Sequence, residues 1–170
     1  MKDQTIAPDL VLLDANDRHR VLTDHPAHLI RRTYQIFLFC FDEAMAGLNL
    51  SPVKWIILCT AYNFPDLSVT ELARGAAVDK ASCGRSATAL QNDGLLQIEM
   101  SKLDGRRKVV RLTPAGIALV MKGLTRVEKL QSLILGRLDS EEAAHFVKGM
   151  TAFVHKTGMQ VRPSVPKQSP

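Results

Sequence analysis

The spacing of hydrophobic residues near the middle of the chain predicts two helices followed by two strands. The first helix begins with Ser68 and Glu71, the two polar positions of a capping box, ahead of the apolar Leu72. In that motif the serine oxygen accepts from a helical amide, and the glutamate reaches back to the serine amide. The small residues at 75–78 then predict a turn in place of a further helical turn.

A second predicted helix starts at Asp79 and ends before Gly94. Aspartate is a favoured N-cap, and glycine is the residue best suited to the left-handed position after a helix end. Positions spaced by three and four residues predict a buried face of Cys83, Ser86, Ala87 and Leu90. The same spacing exposes Lys80, Ala81, Ser82, Arg85 and Thr88. Two capped helices joined by about four residues predict a helix-turn-helix.

The outer face of the second helix is small, polar and basic, and such a face can enter a major groove. Short side chains permit close approach, and Arg85 is long enough to reach a guanine edge or a phosphate. Gly84 is a departure, because glycine inside a helix costs about 1 kcal/mol relative to alanine. Either Gly84 permits close backbone contact with DNA, or it is simply tolerated.

Alternating apolar and polar residues after the second helix predict a strand pair. The predicted half-buried positions are Leu96, Ile98 and Met100 on the first strand, and Val110 and Leu112 on the return strand. Asp104 and Gly105 between the strands form a strong turn signal. Residues 101–111 hold five basic residues against one acid. The hairpin is therefore either a solvated tip or a wing that lies along DNA.

Four stretches of this segment resemble the MarR family of winged-helix transcription regulators. They are the capped Ser68 helix, the Asp79 helix with its ending at 90–96, the turn at 104–107 and the stretch at 111–116. The resemblance extends over residues 28–155 and is specific over 68–116. It implies a mainly α fold with a small β-hairpin wing, in which N- and C-terminal dimerisation helices flank a winged helix-turn-helix.

The resemblance also implies roles for residues of the wing. Arg106 matches the wing arginine that enters the minor groove, and Asp104 matches the acid that orients it. Ala81 and Gly84 stand where the family often has hydroxyl residues, so the reading face departs from the family pattern. The predicted DNA-binding residues are Lys80, Ala81, Ser82, Arg85, Thr88, Lys102, Asp104, Arg106, Arg107 and Lys108.

Helical spacing continues on both sides of the winged segment. Residues 26–46 are apolar nearly all round, and such a helix requires cover on more than one face. A capped helix is predicted over 51–63, and helical spacing from 113 continues as far as 138, weakened locally at Gly123 and Gly136. A last helix opens at Asp139 and is expected to direct Ala143, Phe146, Val147, Met150 and Phe153 inward.

These elements predict a single domain at 26–157, preceded by an arm at 1–25 and followed by a tail at 158–170. The winged helix-turn-helix occupies 51–113, and dimerisation helices occupy 26–47 and 114–157. Pairing of those helices across a two-fold axis would place two reading helices on one side of a homodimer. Such an assembly matches palindromic DNA half-sites about one helical turn apart.

Composition and charge are those of one globular domain with an anionic partner. The chain has 170 residues, of which 46% are hydrophobic and 23% charged. Its net charge of +5 favours nucleic acid, although basic surfaces also occur on proteins that never bind it. The longest apolar run, at 36–41, is far shorter than the ~20 residues that span a bilayer, and no signal pattern is present. We expect a soluble, cytoplasmic protein without membrane association.

The three cysteines are odd in number and widely spaced, at Cys40, Cys59 and Cys83. This pattern argues against a disulfide framework or a metal knuckle and fits a reducing cytoplasm. Either all three are buried structural residues, or one of them senses redox state.

The sequence contains none of the common catalytic patterns. It has no GxSxG elbow, no glycine-rich phosphate loop and no pair of cysteines at metal spacing. His25 and His28 lie three residues apart with no nearby cysteine and a single adjacent carboxylate, Asp24, so a metal site is not predicted. We therefore expect no catalytic residue, no metal, no cofactor and no enzymatic activity.

A polar cluster at the start of the first helix has two interpretations. His28, Arg31 and Arg32 precede the aromatic residues Tyr34 and Phe37. They are either a solvated helix start or the group that binds the acid of a small aromatic effector. The resemblance implies an effector between the dimer helices and the winged lobe. The candidate effector-binding residues are His28, Arg31, Arg32, Tyr34, Phe37 and Trp55.

The sequence as a whole predicts a homodimeric transcriptional repressor that binds double-stranded DNA in a sequence-specific way. A small molecule, either an aromatic acid or its thioester, is expected to release it. The alternative is a winged-helix module that binds protein, in which the basic hairpin is merely solvated.

Overall fold

The computed structural model describes Asp14, Asp17 and residues 21–101 and 105–157. Most of the predicted arm at 1–25 and the whole tail at 158–170 lie outside the described residues, as do Lys102 and Asp104. The chain divides into two compact units, at 1–39 and 40–170.

The described part of the first unit is helical. Helix α1 runs over Pro26–Ala44, close to the predicted 26–46, and its residues up to Phe39 belong to this unit. The rings of Tyr34 and Phe37 stack with centroids 6.1 Å apart. Large apolar side chains are exposed along this part of α1, namely Leu29, Ile30, Tyr34, Ile36 and Phe39.

The second unit contains the end of α1 and a regular series of elements. These are α2 (Pro52–Asn63), α3 (Val69–Gly75), α4 (Lys80–Asn92), β1 (Leu96–Met100), β2 (Lys108–Leu112), α5 (Pro114–Leu124), α6 (Val127–Leu135) and α7 (Ser140–Thr157). The predicted fold class, mainly α with a two-stranded antiparallel hairpin, is confirmed.

A shared core holds the winged elements together. Its large, almost fully buried side chains are Phe41, Ile57, Leu58, Leu72, Leu90, Leu96, Val109, Val110 and Val120. They come from the end of α1, from α2 to α5 and from both strands. Because each of these elements contributes at least one such side chain, burial of apolar surface stabilises α4 and the hairpin as one body.

The helical spacing predicted from 113 to 138 is divided between two helices. Helix α5 ends at Leu124, and α6 starts at Val127. The hydroxyl of Thr125 donates to Lys122 O at 2.8 Å, and the guanidinium of Arg126 donates to the carbonyl oxygens of Ala44 and Ala46. Arg126 therefore binds carbonyl oxygens at the end of α1 and just after it, and the break between α5 and α6 places it there.

Burial in the hairpin strands and along α7 also differs from what the sequence pattern predicted. Met100 was predicted on the inner side of β1 but is exposed, and Val109 is buried beside Val110. Helix α7 begins as predicted, with the Asp139 carboxylate accepting from two main-chain amides at 2.9 Å each. Its predicted inward residues are not buried in one chain, because none of the described α7 side chains is buried. Phe153 is 52% exposed.

Candidate nucleic-acid interface

Helix α3 has the predicted capping box. The amide of Ser68 donates to Glu71 Oε2 at 2.8 Å, and the amide of Glu71 donates to Ser68 Oγ at 3.3 Å. After Gly75 the chain turns through Ala77, whose φ is +52°, and the Val78 amide donates to Ala73 O at 3.0 Å. The short turn between α3 and α4 is therefore confirmed.

Helix α4 is fixed at both ends by the residues that the sequence indicated. Asp79 Oδ1 accepts from the Ser82 amide at 2.9 Å. Hydrogen bonds from Ser82 chiefly, and the charge of Arg85, lower the pKa of Asp79. At the other end Gly94 adopts φ +71°, and the Leu95 amide reaches back to Leu90 O at 2.9 Å. This αL termination stops the helix before the hairpin begins.

The two faces of α4 differ as predicted. Cys83, Ala87 and Leu90 are fully buried. The outer face consists of Lys80, Ala81, Arg85 and Thr88, which are exposed, and Ser82, which is half-buried.

Two polar groups of the outer face bond within their own helix. Arg85 Nη2 donates to Ser82 Oγ at 2.9 Å, and Thr88 Oγ1 donates to Gly84 O at 3.0 Å. These intrahelical bonds hold polar groups on the helix surface, and they can be exchanged for contacts to a base or a phosphate.

Strands β1 and β2 form the hairpin in the predicted position. Their antiparallel register pairs Leu96 with Leu112 and Met100 with Lys108. The Ser101 amide donates to Arg107 O at 2.7 Å, next to the turn. Arg106 and Lys108 are exposed along this side of the hairpin, while the predicted wing residues Lys102 and Asp104 lie outside the described residues.

Two arginines of the basic hairpin pair with acids of the same chain. The guanidinium of Arg107 forms an ion pair with Glu71. Arg111 presents Nε and Nη2 to the two carboxylate oxygens of Asp66, and its Nη1 donates to Glu99 Oε1 at 2.9 Å. The hydrogen bonds that Arg111 donates to the Asp66 carboxylate are the main reason that the pKa of Arg111 is raised.

The balance of effects on Glu71 favours its ionised form. Burial alone would raise its pKa, but hydrogen bonds from Ser68 and the charge and hydrogen bond of Arg107 together lower the pKa below its ordinary value. One carboxylate thus serves both the N-cap of α3 and the hairpin.

Asp66 and Glu99 are partners of Arg111 that sequence reasoning missed. Asp66 follows the helix predicted over 51–63, and Glu99 is a polar position between the apolar residues of the first predicted strand. The available signal was Arg111, the fifth basic residue of the hairpin. An arginine that does not bind DNA can instead pair with an acid of the same chain. The partner Asp66 lies 45 residues away from Arg111 in sequence, so local spacing could not identify it.

The candidate effector residues fall in both compact units. In the first unit the structure brings Tyr34 and Phe37 together, and Arg31 Nη1 donates to Gln35 Oε1 at 3.0 Å. Arg31 and Arg32 are exposed, while His28 is half-buried.

Trp55, the remaining candidate, lies in the second unit and packs against α5. A Cβ added at Gly123 would lie 2.3 Å from Trp55 Cζ3. Gly123, which the sequence suggested as a weak point of the helix, therefore makes room for the indole ring.

The cysteines are free, with Cys40 and Cys83 buried and Cys59 half-buried. Burial raises the pKa of the Cys59 thiol to about 11 and also raises that of Cys83, with a further contribution from the charge of Asp79. A raised thiol pKa disfavours the thiolate, which is the reactive form. Cys59 and Cys83 therefore have the character of packing residues.

The described residues contain no group of three or more His, Cys, Asp or Glu side chains placed to hold a metal ion. Among the same residues, no helix combines the length and hydrophobicity that a membrane span requires.

Comparison with known proteins finds similarity to transcription regulators. Residues 48–107 match the model of the MarR family. The transcriptional repressor NicR of Pseudomonas putida is 26% identical over 121 residues, which are 71% of this chain and 77% of NicR.

Solved structures of similar fold also include regulators. A probable transcriptional regulator from Pseudomonas aeruginosa has 26% identity and a TM-score of 0.71, over 78% of this chain and 98% of its own. BpsR of Bordetella bronchiseptica, whose DNA binding is regulated by 6-hydroxynicotinic acid, has 24% identity and a TM-score of 0.71, over 77% and 94%. The similarity to BpsR, at 24% identity, is a similarity of fold alone.

Proposed function

We propose that the chain, whose residues 48–107 match the model of the MarR family, is a homodimeric, sequence-specific DNA-binding repressor released by a small aromatic acid or its thioester. The observation that carries the proposal is a helix capped at both ends, with an exposed small and basic face, beside an exposed basic hairpin. The related repressor NicR supports it. A regulator of this kind acts in the cytoplasm and requires neither a catalytic residue nor a cofactor.

We place α4 in the major groove and the hairpin along the adjacent backbone. Lys80 and Arg85 are the long cations of the α4 face, and Ala81, Ser82 and Thr88 permit close approach to base edges. At the hairpin, Arg106 enters the minor groove, as the family resemblance implies, and Lys108 approaches a phosphate. Lys102 and Asp104, which lie between the two strands in the sequence, complete the proposed wing.

Homodimer formation is proposed from the apolar surface of the terminal helices. Ile36 and Phe39 of α1 are exposed, as are Met150 and Phe153 of α7. Exposed apolar side chains that recur along a helix favour a protein partner. In a two-fold assembly, two α4 helices would read half-sites about one helical turn apart.

The effector proposal rests on the cluster at the start of α1. His28, Arg31 and Arg32 provide positive or hydrogen-bonding groups for an acid, and the stacked rings of Tyr34 and Phe37 provide a flat apolar surface. The 6-hydroxynicotinic acid that regulates BpsR is an acid of this class, which supports the proposal. The effector lowers DNA affinity only by its preference for the non-binding geometry, about 1.4 kcal/mol for each tenfold loss.

Titration with benzoate-like and cinnamate-like acids and thioesters tests the effector. We expect an inducer to bind free protein more tightly than the operator complex, since the coupling is reciprocal. An inducer that acts equally on wild type and on His28→Ala, Arg31→Ala and Arg32→Ala variants would contradict the assignment of the cluster.

Fluorescence anisotropy with the DNA that adjoins the protein's own coding region tests DNA binding. Log affinity should fall steeply with log salt concentration, because each phosphate contact contributes a slope of about 0.9. Scrambled DNA of equal length is the control for sequence specificity. A flat salt response, or equal affinity for scrambled DNA, would favour a protein-binding module.

Substitution of the wing arginine tests the geometry within that assay. Arg106→Ala should weaken operator binding by about 1 to 3 kcal/mol, the size of one specific contact. Thermal stability should change little, because Arg106 is exposed. Lys122, an exposed cation of α5, provides the matched control. Equal loss from Lys122→Ala would show that bulk charge determines affinity and that the wing does not.

A further inference from the structure

We propose that Arg107 and Arg111 position the wing instead of contacting DNA phosphates, and that Glu71 is the residue that sets the wing against the helix-turn-helix. The inference rests on the proposed DNA-binding function. It changes the sequence-based assignment of Arg107, which grouped all the basic residues of the hairpin turn together.

The direction of the Arg107 side chain supports a positioning role. Its guanidinium pairs with Glu71, and its Nη2 also lies 3.4 Å from the carbonyl oxygen of Asp66. The Arg107 carbonyl accepts from Ser101 across the hairpin at 2.7 Å. Arg107 therefore joins the hairpin, α3 and the loop before α3, and it would have to abandon Glu71 to reach a phosphate.

Glu71 has an unusual number of donors on one oxygen. Its Oε2 accepts from the Ser68 amide at 2.8 Å, from the Ser68 hydroxyl at 2.7 Å and from Arg107. Charge-assisted hydrogen bonds of this kind are stronger than neutral ones. The N-terminus of α3 and the hairpin are thus attached to the same carboxylate, which is only 24% exposed.

Arg111 anchors the other side of the same strand. Its fork meets both oxygens of Asp66, and Glu99 on the neighbouring strand accepts from Nη1. Between the two arginines, the Val110 amide donates to Leu67 O at 2.8 Å. Main-chain and side-chain bonds together therefore tie β2 to the segment that immediately precedes α3.

The neighbouring cations of the hairpin face a different environment. Lys108 is exposed, and no ion pair is described for it. Arg106 is exposed at the turn. The three neighbouring positions thus have different proposed roles: Arg106 and Lys108 contact DNA, whereas Arg107, paired with Glu71, holds the hairpin in the orientation from which they can reach it.

Salt-dependent operator binding separates a positioning residue from a phosphate contact. Glu71→Gln removes the charge while glutamine can still close the capping box. Both Arg107→Ala and Glu71→Gln should lower operator affinity about fivefold, the scale of one ion pair, without changing the log–log salt slope. Lys108→Ala should lower the slope by about 0.9 for each subunit. A comparable fall in slope for Arg107→Ala would overturn the proposal.

Amide hydrogen exchange tests the same proposal in the absence of DNA. In Glu71→Gln and Arg107→Ala the amides of Ser101 and Val110 should exchange faster than in wild type, whereas Lys108→Ala should leave them unchanged. Glu128→Gln, which removes an exposed carboxylate from α6, is the matched control for loss of a charge. Unchanged exchange at both amides would overturn the proposal.

Failure of wild-type protein to bind any DNA would reject the proposed function alone, because the exchange result would still decide whether the wing is positioned by Glu71.

Discussion

The winged segment and the last helix differ in how much of their apolar surface is buried within a single chain. In the winged segment every helix has a side-chain N-cap, and each contributes buried residues to one core. In α7 the N-cap is present as well, but none of the described side chains is buried and Phe153 is 52% exposed. Local signals therefore suffice to form a helix, while tertiary burial requires a second surface. The winged segment has that surface within the chain, and we expect α7 to find it on a partner subunit.

The largest expected effect concerns α7. Phe153→Asp should convert dimers to monomers in sedimentation, because an unpaired charge left in an interface costs about 3 to 5 kcal/mol. Lys148→Glu, at an exposed position of the same helix, is the matched control and should leave the dimer intact. If Phe153→Asp remained a dimer, the apolar face of α7 would not be the interface, and the contrast with the winged segment would need another explanation.

The second effect concerns the interior of the winged segment. Leu90 of α4 is fully buried. Leu90→Ala should therefore lower the free energy of unfolding by about 2 to 5 kcal/mol, through lost burial and the cavity that remains. Chemical denaturation at several protein concentrations measures the loss. A loss that vanished at high protein concentration would indicate that dimer formation stabilises α4, and that the winged segment does not stabilise itself.

Much of the winged segment could be predicted because its signals lie within three or four residues of one another. The caps at Ser68 and Asp79, the turn between α3 and α4 and the end at Gly94 all depend on such neighbours. The outer face of α4 followed from helical periodicity in the same way. These features of the fold and the candidate site are local, and the structure confirms them.

Features that depend on distant residues were not predictable from spacing. The break after α5 depends on Arg126 reaching Ala44 and Ala46, which lie 82 and 80 residues earlier. The pairing of Arg107 depends on Glu71, an acid 36 residues earlier in the sequence. Neighbouring cations in a charge run are chemically alike, so only the tertiary fold determines which acid Arg107 meets.

A smaller effect separates helix stability from DNA reading. In the described structure, a Cβ added at Gly84 would meet no atom within 4 Å. Gly84→Ala should therefore raise the free energy of unfolding by about 1 kcal/mol, since glycine is unfavourable inside a helix. If the glycine permits close approach to DNA, the same substitution should weaken operator binding.

Gly149 in α7 provides the matched control, because a Cβ there also meets no atom within 4 Å in the described structure. Gly149→Ala should give a similar gain in stability and unchanged operator affinity. Equal operator affinity for wild type and Gly84→Ala would show that Gly84 is only tolerated. The contrast between the reading helix and α7 would then rest on burial alone.

The smallest effect is the pH dependence contributed by Glu71. Hydrogen bonds from Ser68 and the pairing with Arg107 lower its pKa below the ordinary 4.5. A carboxyl whose pKa is lowered by folding adds stability above its unfolded pKa and loses it as pH falls through the folded pKa. Wild type should therefore be more stable than Glu71→Gln at neutral pH, and the difference should shrink once the pH falls below 4.5. Solvent screens a pair in which Arg107 is 41% exposed, so the difference should be small. A difference in unfolding free energy that stays constant from neutral to acid pH would mean that the Glu71 carboxylate does not stabilise the junction of α3 and the wing through its charge.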